Sequence, residues 1–404
     1  MTSLDESITR RKLVMRSFSP SAPIASKTLF AGRNEQMSTL ISIVFQSGQH
    51  AVIYGERGVG KTSLARVLGE AFSESMWTSY YTCSSGDTFG SIWRGILQGF
   101  VMSDERDAPG FSVNKVVSTS SLADLLKTAE PTPNEIRSVL EIVGEADGNA
   151  VIFIDEFDRP EDPKTRSRFA DTIKILSDQA VPVTLVLVGV ADNIDELISE
   201  HVSIQRAIVQ VQMPRMTASE LMEIVTQGMR SSTLDFEVGF ARQVVSISQG
   251  LPHYTHLLCQ NAGVHVVEEG RVKVRVSDVD PAISKAINNV SQTVRDKYHR
   301  ATFSNRETLH RQVLLACAMA EKDEMGTFSA TDVREKLCEI SERPYDTPAF
   351  ATHLKDFSSP DGARGGILAK RGVLRRFRYR FNDPLLPPYI LMKGRTEGLT
   401  RQLS

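Results

Sequence analysis

The chain has 404 residues, a formal net charge of −2 and 41% hydrophobic residues, a composition that suits two or three globular domains. The balanced charge gives no general reason for nucleic-acid binding, and no apolar run approaches the roughly 18 residues that a membrane span needs. The N-terminus has no apolar core of the signal-peptide type, and the four cysteines are scattered without a C-x-x-C pair. We therefore expect a cytoplasmic protein without membrane contact, disulfides or a zinc site.

The chain opens with a polar segment. Residues 1–28 carry a basic cluster and a Ser/Pro-rich stretch, and we expect a flexible or surface-draped extension. The sequence FAGRNEQ follows at residues 30–36 and leads into a helical pattern of apolar residues.

The most specific motif of the chain comes next. Apolar residues 51–54 predict a buried strand and residues 63–68 predict a helix, with a glycine-rich loop between them. The loop matches G-x-x-x-x-G-K-[ST], in which glycines let backbone N–H groups converge on a polyphosphate. Lys61 supplies a cation for the outer phosphates, and Thr62 supplies a hydroxyl for Mg²⁺. We assign nucleotide binding to the whole loop, which comprises Gly55, Glu56, Arg57, Gly58, Val59, Gly60, Lys61, Thr62 and Ser63.

A second strand is predicted at residues 77–83, which are rich in aromatic and β-favouring residues. Helical patterns follow at 88–100, 121–127 and 132–143. Residues 101–120 have no clear periodicity, and we expect a loop there.

A second specific motif combines a strand with two carboxylates. Four apolar residues at 151–154 predict a strand that is buried on both faces. Asp155 and Glu156 follow at its C-terminal end, where α/β sheets bind ligands. We assign Asp155 to the Mg²⁺ shell because hard cations prefer carboxylate oxygen. Glu156 is the candidate that orients and polarises the attacking water.

Two more strands, predicted at 183–189 and 207–213, complete a parallel α/β sheet of five strands. Together with FAGRNEQ, the two motifs resemble AAA+ and STAND ATPases, in particular replication-initiator and transposition-regulator ATPases. The resemblance implies a P-loop NTPase core at 29–216, a helical lid at 217–300 and a C-terminal winged-helix domain at 301–404. It also implies hydrolysis of ATP to ADP with Mg²⁺ and a switch in which nucleotide between core and lid sets the lid angle. A homo-oligomer or a protein partner would read out that switch.

The resemblance also implies roles for isolated polar residues. In these families the entry segment packs beside the adenine, which points to Arg33. A polar residue after the fourth strand senses the γ-phosphate, and either Asp192 or Asn193 takes this role unless it only caps the next helix. An arginine before the fifth strand reaches the nucleotide of a neighbouring subunit. Arg206 occupies that place and is a candidate catalytic finger, the alternative being an ordinary surface arginine.

The predicted lid carries Gly250-Leu251-Pro252-His253 between two helical patterns. This element resembles the G-x-P element of STAND ATPases more than the G-x-x-R of AAA+ lids. We assign Pro252 and His253 to nucleotide binding on that basis. The alternative for His253 is a capped and partly buried polar residue.

The C-terminal region resembles a winged helix, with helical patterns at 307–319, 329–337 and 347–357 before a predicted hairpin at 366–381. In its last strand Arg376, Arg378 and Arg380 alternate with aromatic residues, which predicts one cationic and one apolar face. These arginines are candidates for non-specific contact with DNA phosphates. The alternative is a wing that packs on the ATPase core or on a protein, as in a signalling or defence STAND ATPase.

Overall fold

The computed structural model describes residues 3–20, 31–107, 115–145, 148–189, 204–304, 309–323, 326–372 and 377–399. Within these ranges the chain folds as two compact units. One is an α/β unit that ends at Met213. The other consists of an N-terminal helix, α1 (Ser3–Ser17), the short segment Arg57–Val59 and the chain from Pro214 onward.

The α/β unit alternates helices and strands along the chain. In order, its elements are α2 (Asn34–Val44), β1 (His50–Tyr54), α3 (Lys61–Phe72), β2 (Trp77–Thr82), α4 (Phe89–Gln98), β3 (Val101–Asp107), β4 (Lys115–Ser121), α5 (Pro133–Glu145), β5 (Ala150–Asp155), α6 (Pro163–Asp178), β6 (Val183–Gly189) and β7 (Ile208–Gln212).

The central sheet has the strand order β2-β5-β6-β1-β7, and every neighbouring pair is parallel. Strands β5 and β6 are buried along their whole length, as expected for a parallel sheet covered on both faces. Because the strands are parallel, their carboxyl ends meet at one edge. The predicted α/β fold class with a parallel P-loop NTPase sheet is confirmed.

The prediction of a loop at residues 101–120 is wrong. Strands β3 and β4 pair in antiparallel register as a separate two-stranded sheet. The sequence of β3 runs Ser-Asp-Glu-Arg-Asp over residues 103–107 and lacks alternating apolar residues. Since period-two alternation is the signal for a half-buried strand, the sequence pattern could not reveal this hairpin.

The second unit is mainly helical. After α1, its elements are α7 (Ala218–Ser231), β8 (Asp235–Phe236), α8 (Val238–Ser248), α9 (Pro252–Glu268), β9 (Lys273–Val274), α10 (Val279–Asn289), α11 (Gln292–Thr302), α12 (His310–Met319), β10 (Phe328–Ser329), α13 (Ala330–Ser341), α14 (Thr347–Ser358), β11 (Leu368–Arg371), β12 (Arg378–Phe381) and α15 (Leu386–Thr396).

The expectation of a flexible or surface-draped N-terminal extension is also wrong for the described residues. Helix α1 packs on α7 and α9, and Val14 and Phe18 are fully buried. The helix is strongly charged, and only one narrow face is apolar, so its sequence does not stand out from a polar surface segment.

The C-terminal part of the second unit combines the helices α12, α13 and α14 with the antiparallel sheet β10-β12-β11. The predicted helices and the predicted strand before Phe381 are present in the described residues, while assignment to the winged-helix class stays a prediction. Helix α15 was not predicted, because prolines at positions 387 and 388 open it and obscure its pattern. None of the described helices combines the length and the apolar character that a membrane span requires.

Candidate nucleotide site

The glycine-rich loop joins β1 to α3 at the carboxyl edge of the sheet. At Gly55, φ is 153°, and a Cβ there would lie 2.4 Å from the carbonyl oxygen of Met213, just after β7. Gly58 and Gly60 have φ values of 87° and 97°, a region that other residues rarely adopt. The loop is therefore open to the close approach of a ligand, and Gly60 delivers the chain directly into the N-terminus of α3.

The Lys61 ammonium lies against this loop. It donates to the carbonyl oxygens of Gly55 at 2.8 Å and Glu56 at 2.9 Å. Thr62 and Ser63 follow in the first turn of α3 and are half-buried. The apolar face of α3 fixes this turn, since it is buried through residues Leu64, Ala65, Val67, Leu68 and Phe72.

The two acidic residues at the end of β5 have different surroundings. Asp155 is only 3% exposed, and its Oδ1 accepts a hydrogen bond from the Glu156 backbone N–H at 2.9 Å. Glu156 adopts a left-handed φ of 52°, an uncommon conformation for a residue with a side chain. Its carboxylate is about half exposed and pairs with Arg159 at 2.9 Å.

Sequence analysis missed two residues beside this acidic pair. The hydroxyl of Tyr80, on β2, donates to Asp155 Oδ2 at 2.5 Å. Cys83 follows β2, and burial, with added repulsion from nearby Asp87, raises the pKa of its thiol to about 12, so the thiol stays neutral. Neither residue belongs to a motif. Tyr80 meets Asp155 through the pairing of β2 with β5, and the Cys83 backbone N–H donates to the Asp155 carbonyl oxygen at 2.8 Å.

Two other predicted residues of the α/β unit lie on separate elements. Arg33 is buried, with a left-handed φ of 62°, immediately before α2. The side chain of Arg206 is 80% exposed and pairs with Asp178 at 3.0 Å. Asp192 and Asn193 lie outside the described residues.

The remaining candidates belong to the second unit. Pro252 is in the first turn of α9, and the ring of His253 makes a 2.8 Å hydrogen bond with the Pro20 carbonyl oxygen. Burial lowers the pKa of His253, which favours the neutral ring. The nucleotide roles of both residues stay predictions.

The cationic strand β12 shows the predicted alternation where it is described. Tyr379 and Phe381 are buried, whereas Arg378 is exposed and Arg380 half-buried. Arg378 pairs with Asp323 at 2.9 Å and donates to the hydroxyl of Thr327 at 2.5 Å. Arg376 lies outside the described residues.

The residues of the α/β unit fit a complex of a nucleotide with a divalent cation. The loop excludes side-chain atoms at Gly55 and places the Lys61 ammonium at its backbone. Thr62 and Asp155 offer only hard oxygen ligands, which suit Mg²⁺. When bound, such a cation would neutralise phosphate charge.

A glycine loop of this sequence and shape, entering a helix from a central parallel strand and accompanied by an acidic strand end, defines the class of P-loop NTPases. The family model described as Novel STAND NTPase 1 matches residues 17–354, and the chain belongs to this family. The predicted membership of the AAA+/STAND ATPases is thereby confirmed. No curated protein sequence matches the chain.

Two solved structures show the same fold. The chain is similar to a Walker-type ATPase of Pyrococcus abyssi, with 15% identity, coverage of 92% of this chain and 98% of that chain, and a TM-score of 0.52. It is also similar to the ORC2 protein of Aeropyrum pernix, solved as ADPNP–ADP complexes, with 14% identity, coverage of 95% and 98%, and a TM-score of 0.51. At these identities the likeness concerns the fold alone.

Proposed function

We propose that the chain binds ATP with Mg²⁺ in the glycine loop, hydrolyses it, and works as a nucleotide-dependent switch. The observation that carries this function is the Lys61 ammonium, held by two backbone carbonyls of a loop in which glycine is sterically required. A bound polyphosphate would compete with these two carbonyls for the Lys61 ammonium. Its negatively charged oxygens accept stronger hydrogen bonds from the ammonium than neutral carbonyl oxygens do.

The acidic pair divides the chemistry between two residues. Asp155 is buried and fixed by hydrogen bonds to both oxygens, which suits a carboxylate that binds a cation shell without moving. Glu156 is solvent-accessible, which suits a carboxylate that orients a water molecule for attack on the terminal phosphate. Arg206 is exposed enough to act on the nucleotide of a neighbouring copy in a homo-oligomer.

Hydrolysis is tested by Glu156→Gln, which removes the water-orienting carboxylate and keeps the shape of the side chain. Phosphate release should fall by about 10²-fold or more, because general-base groups contribute at that level, while ATP binding persists. Glu161→Gln changes an exposed glutamate in the same loop and is the matched control. Normal phosphate release by the Glu156 variant would contradict the assignment.

A second candidate function is association with DNA through the β11–β12 hairpin. Arg371 and Arg378 are register partners on these strands, and like charges placed opposite each other destabilise a hairpin unless an anion compensates. Asp323 supplies part of that compensation to Arg378. A DNA phosphate would supply the rest, and an acidic protein partner is the competing occupant.

DNA binding is tested by replacing Arg376, Arg378 and Arg380 with alanine. Affinity should fall equally for all DNA sequences, because phosphate contacts carry no base information, and the slope of log affinity against log salt should flatten by up to about three. Replacing the exposed Arg230 and Arg242 of the same unit is the control. If the wild type binds no DNA at low salt, the hairpin is a protein-contacting surface and the signalling function takes its place.

A further inference from the structure

Tyr80 reaches the cation-binding carboxylate from a neighbouring strand. In the parallel register of β2 and β5, Tyr80 lies opposite Phe153 and Thr82 lies opposite Asp155. The phenol ring spans this two-residue offset, and its hydroxyl donates to Asp155 Oδ2 at 2.5 Å. The contact is therefore built by the sheet itself and not by a loop.

Two further contacts fix the ring of Tyr80. It stacks on Phe153, with ring centroids 6.2 Å apart and an interplanar angle of 24°. The Arg66 guanidinium lies over the ring, with its Cζ 3.7 Å from the centroid. Arg66 is on α3, four residues after Thr62. One helical turn therefore separates the Thr62 hydroxyl from the arginine that covers the Tyr80 ring.

The hydrogen bond has a defined direction. A carboxylate oxygen only accepts hydrogen bonds, so the Tyr80 hydroxyl is the donor in this contact. Asp155 Oδ1 accepts from the Glu156 N–H at 2.9 Å. Each carboxylate oxygen thus receives one protein donor and keeps a lone pair for a further ligand.

We propose that Tyr80, held by Arg66, is a positioning residue that fixes the Asp155 carboxylate for binding the Mg²⁺ of a Mg²⁺–nucleotide complex. This role rests on the proposed ATP site and adds to it a residue outside both sequence motifs. Partners that orient a metal ligand commonly change metal affinity by about 10- to 100-fold when they are removed.

Tyr80→Phe removes only the hydroxyl and keeps the ring against Phe153 and Arg66. The affinity of the non-hydrolysable analogue AMP-PNP is measured calorimetrically in EDTA and then across a Mg²⁺ titration. In the variant, affinity in EDTA should match the wild type, whereas the Mg²⁺ concentration for half-maximal enhancement should rise about tenfold or more. Mn²⁺ is also titrated in place of Mg²⁺, with AMP-PNP bound, and its binding is followed by electron paramagnetic resonance. The variant should show the same weakening of metal affinity.

Tyr81→Phe is the matched control. Tyr81 follows Tyr80 on the same strand, and its hydroxyl donates to Asp87 at 3.0 Å and not to Asp155. This variant should keep the wild-type Mg²⁺ dependence, and Arg66→Gln should shift the dependence in the same direction as Tyr80→Phe.

The outcomes separate this inference from the proposed function. If the wild type binds the analogue with Mg²⁺ enhancement and Tyr80→Phe behaves identically, the positioning role is overturned while the ATP site stands. If Tyr80→Phe loses affinity equally in EDTA and in Mg²⁺, the tyrosine supports the site only structurally, and the positioning role again fails. If the wild type itself binds no nucleotide, both proposals fall.

Discussion

At the scale of single residues, neighbouring acidic side chains are kept in contrasting states. Asp155 is 3% exposed and hydrogen-bonded at both oxygens. The Glu156 side chain is 48% exposed and forms an ion pair with the similarly exposed Arg159. Exposed ion pairs of this kind contribute about 0–1 kcal/mol, so the pair can open at little cost. This contrast supports the proposed roles, cation binding for Asp155 and water orientation for Glu156.

A buried histidine makes the α/β unit sensitive to acid. His50 on β1 is 1% exposed, and its Nδ1 accepts the Leu185 N–H at 3.0 Å. Burial lowers its pKa from 6.5 to about 4. The unfolded chain therefore binds more protons between these two values, and the free energy of unfolding rises with pH across that window. The stability that depends on a neutral His50 is fully present above pH 6.5 and is lost as the pH falls towards 4. This loss amounts to up to about 3 kcal/mol.

His50→Asn tests this prediction, since the amide oxygen of asparagine can accept the same N–H. Urea midpoints measured at pH 7.5 and pH 5 should show a smaller pH dependence in the variant than in the wild type. His256 in the second unit has a similarly lowered pKa, and it stays present in both proteins. Equal pH dependence in the two proteins would rule out His50 as the source.

At the scale of elements, two glycines form the surface on which α1 packs. A Cβ at Gly228 on α7 would lie 2.2 Å from the ring of Phe18, and one at Gly263 on α9 would lie 2.9 Å from Val14. Both helices therefore need a residue without a side chain to admit the N-terminal segment. This pairing makes α1 and the residue that follows it an integral part of the second unit.

Phe18→Ala should destabilise the second unit by about 3–5 kcal/mol, because it empties a fully buried aromatic site. Met15→Ala, at a position on α1 that is 51% exposed, should change stability by less than about 0.5 kcal/mol. Thermal or urea unfolding of both variants provides the measurement. Similar melting of the Phe18 variant and the wild type would show that α1 does not stabilise this unit.

Elements with strong local signals could be predicted from the sequence, and those defined by distant contacts could not. The apolar run before Asp155 identifies β5, and the run before Gly55 identifies β1, because parallel central strands are buried on both faces. Helix α1 is recognisable only once Gly228 and Gly263 are known to face it. In the site, Lys61 and Asp155 belong to contiguous motifs, whereas Tyr80 is defined by strand register alone.

At the scale of the whole molecule, the family match extends over both units. Residues 17–354 include the glycine loop, the acidic pair and the chain as far as α14. Helix α15 lies beyond the match and is nevertheless built into the second unit. Tyr254 donates to the Leu385 carbonyl at 2.6 Å, and Arg395 pairs with Asp280 at 2.5 Å. The C-terminal segment and the predicted lid therefore belong to one folded body.

The central claim is that ATP binds at the glycine loop through Lys61. Calorimetric titration of ATP with Mg²⁺ into the wild type, Lys61→Ala and Lys174→Ala tests it most directly, Lys174 being an exposed lysine on α6 of the same unit. Saturable binding should be seen in the wild type and in the Lys174 variant and should be lost in Lys61→Ala. Undiminished ATP binding by Lys61→Ala, or no binding by the wild type, would contradict the account.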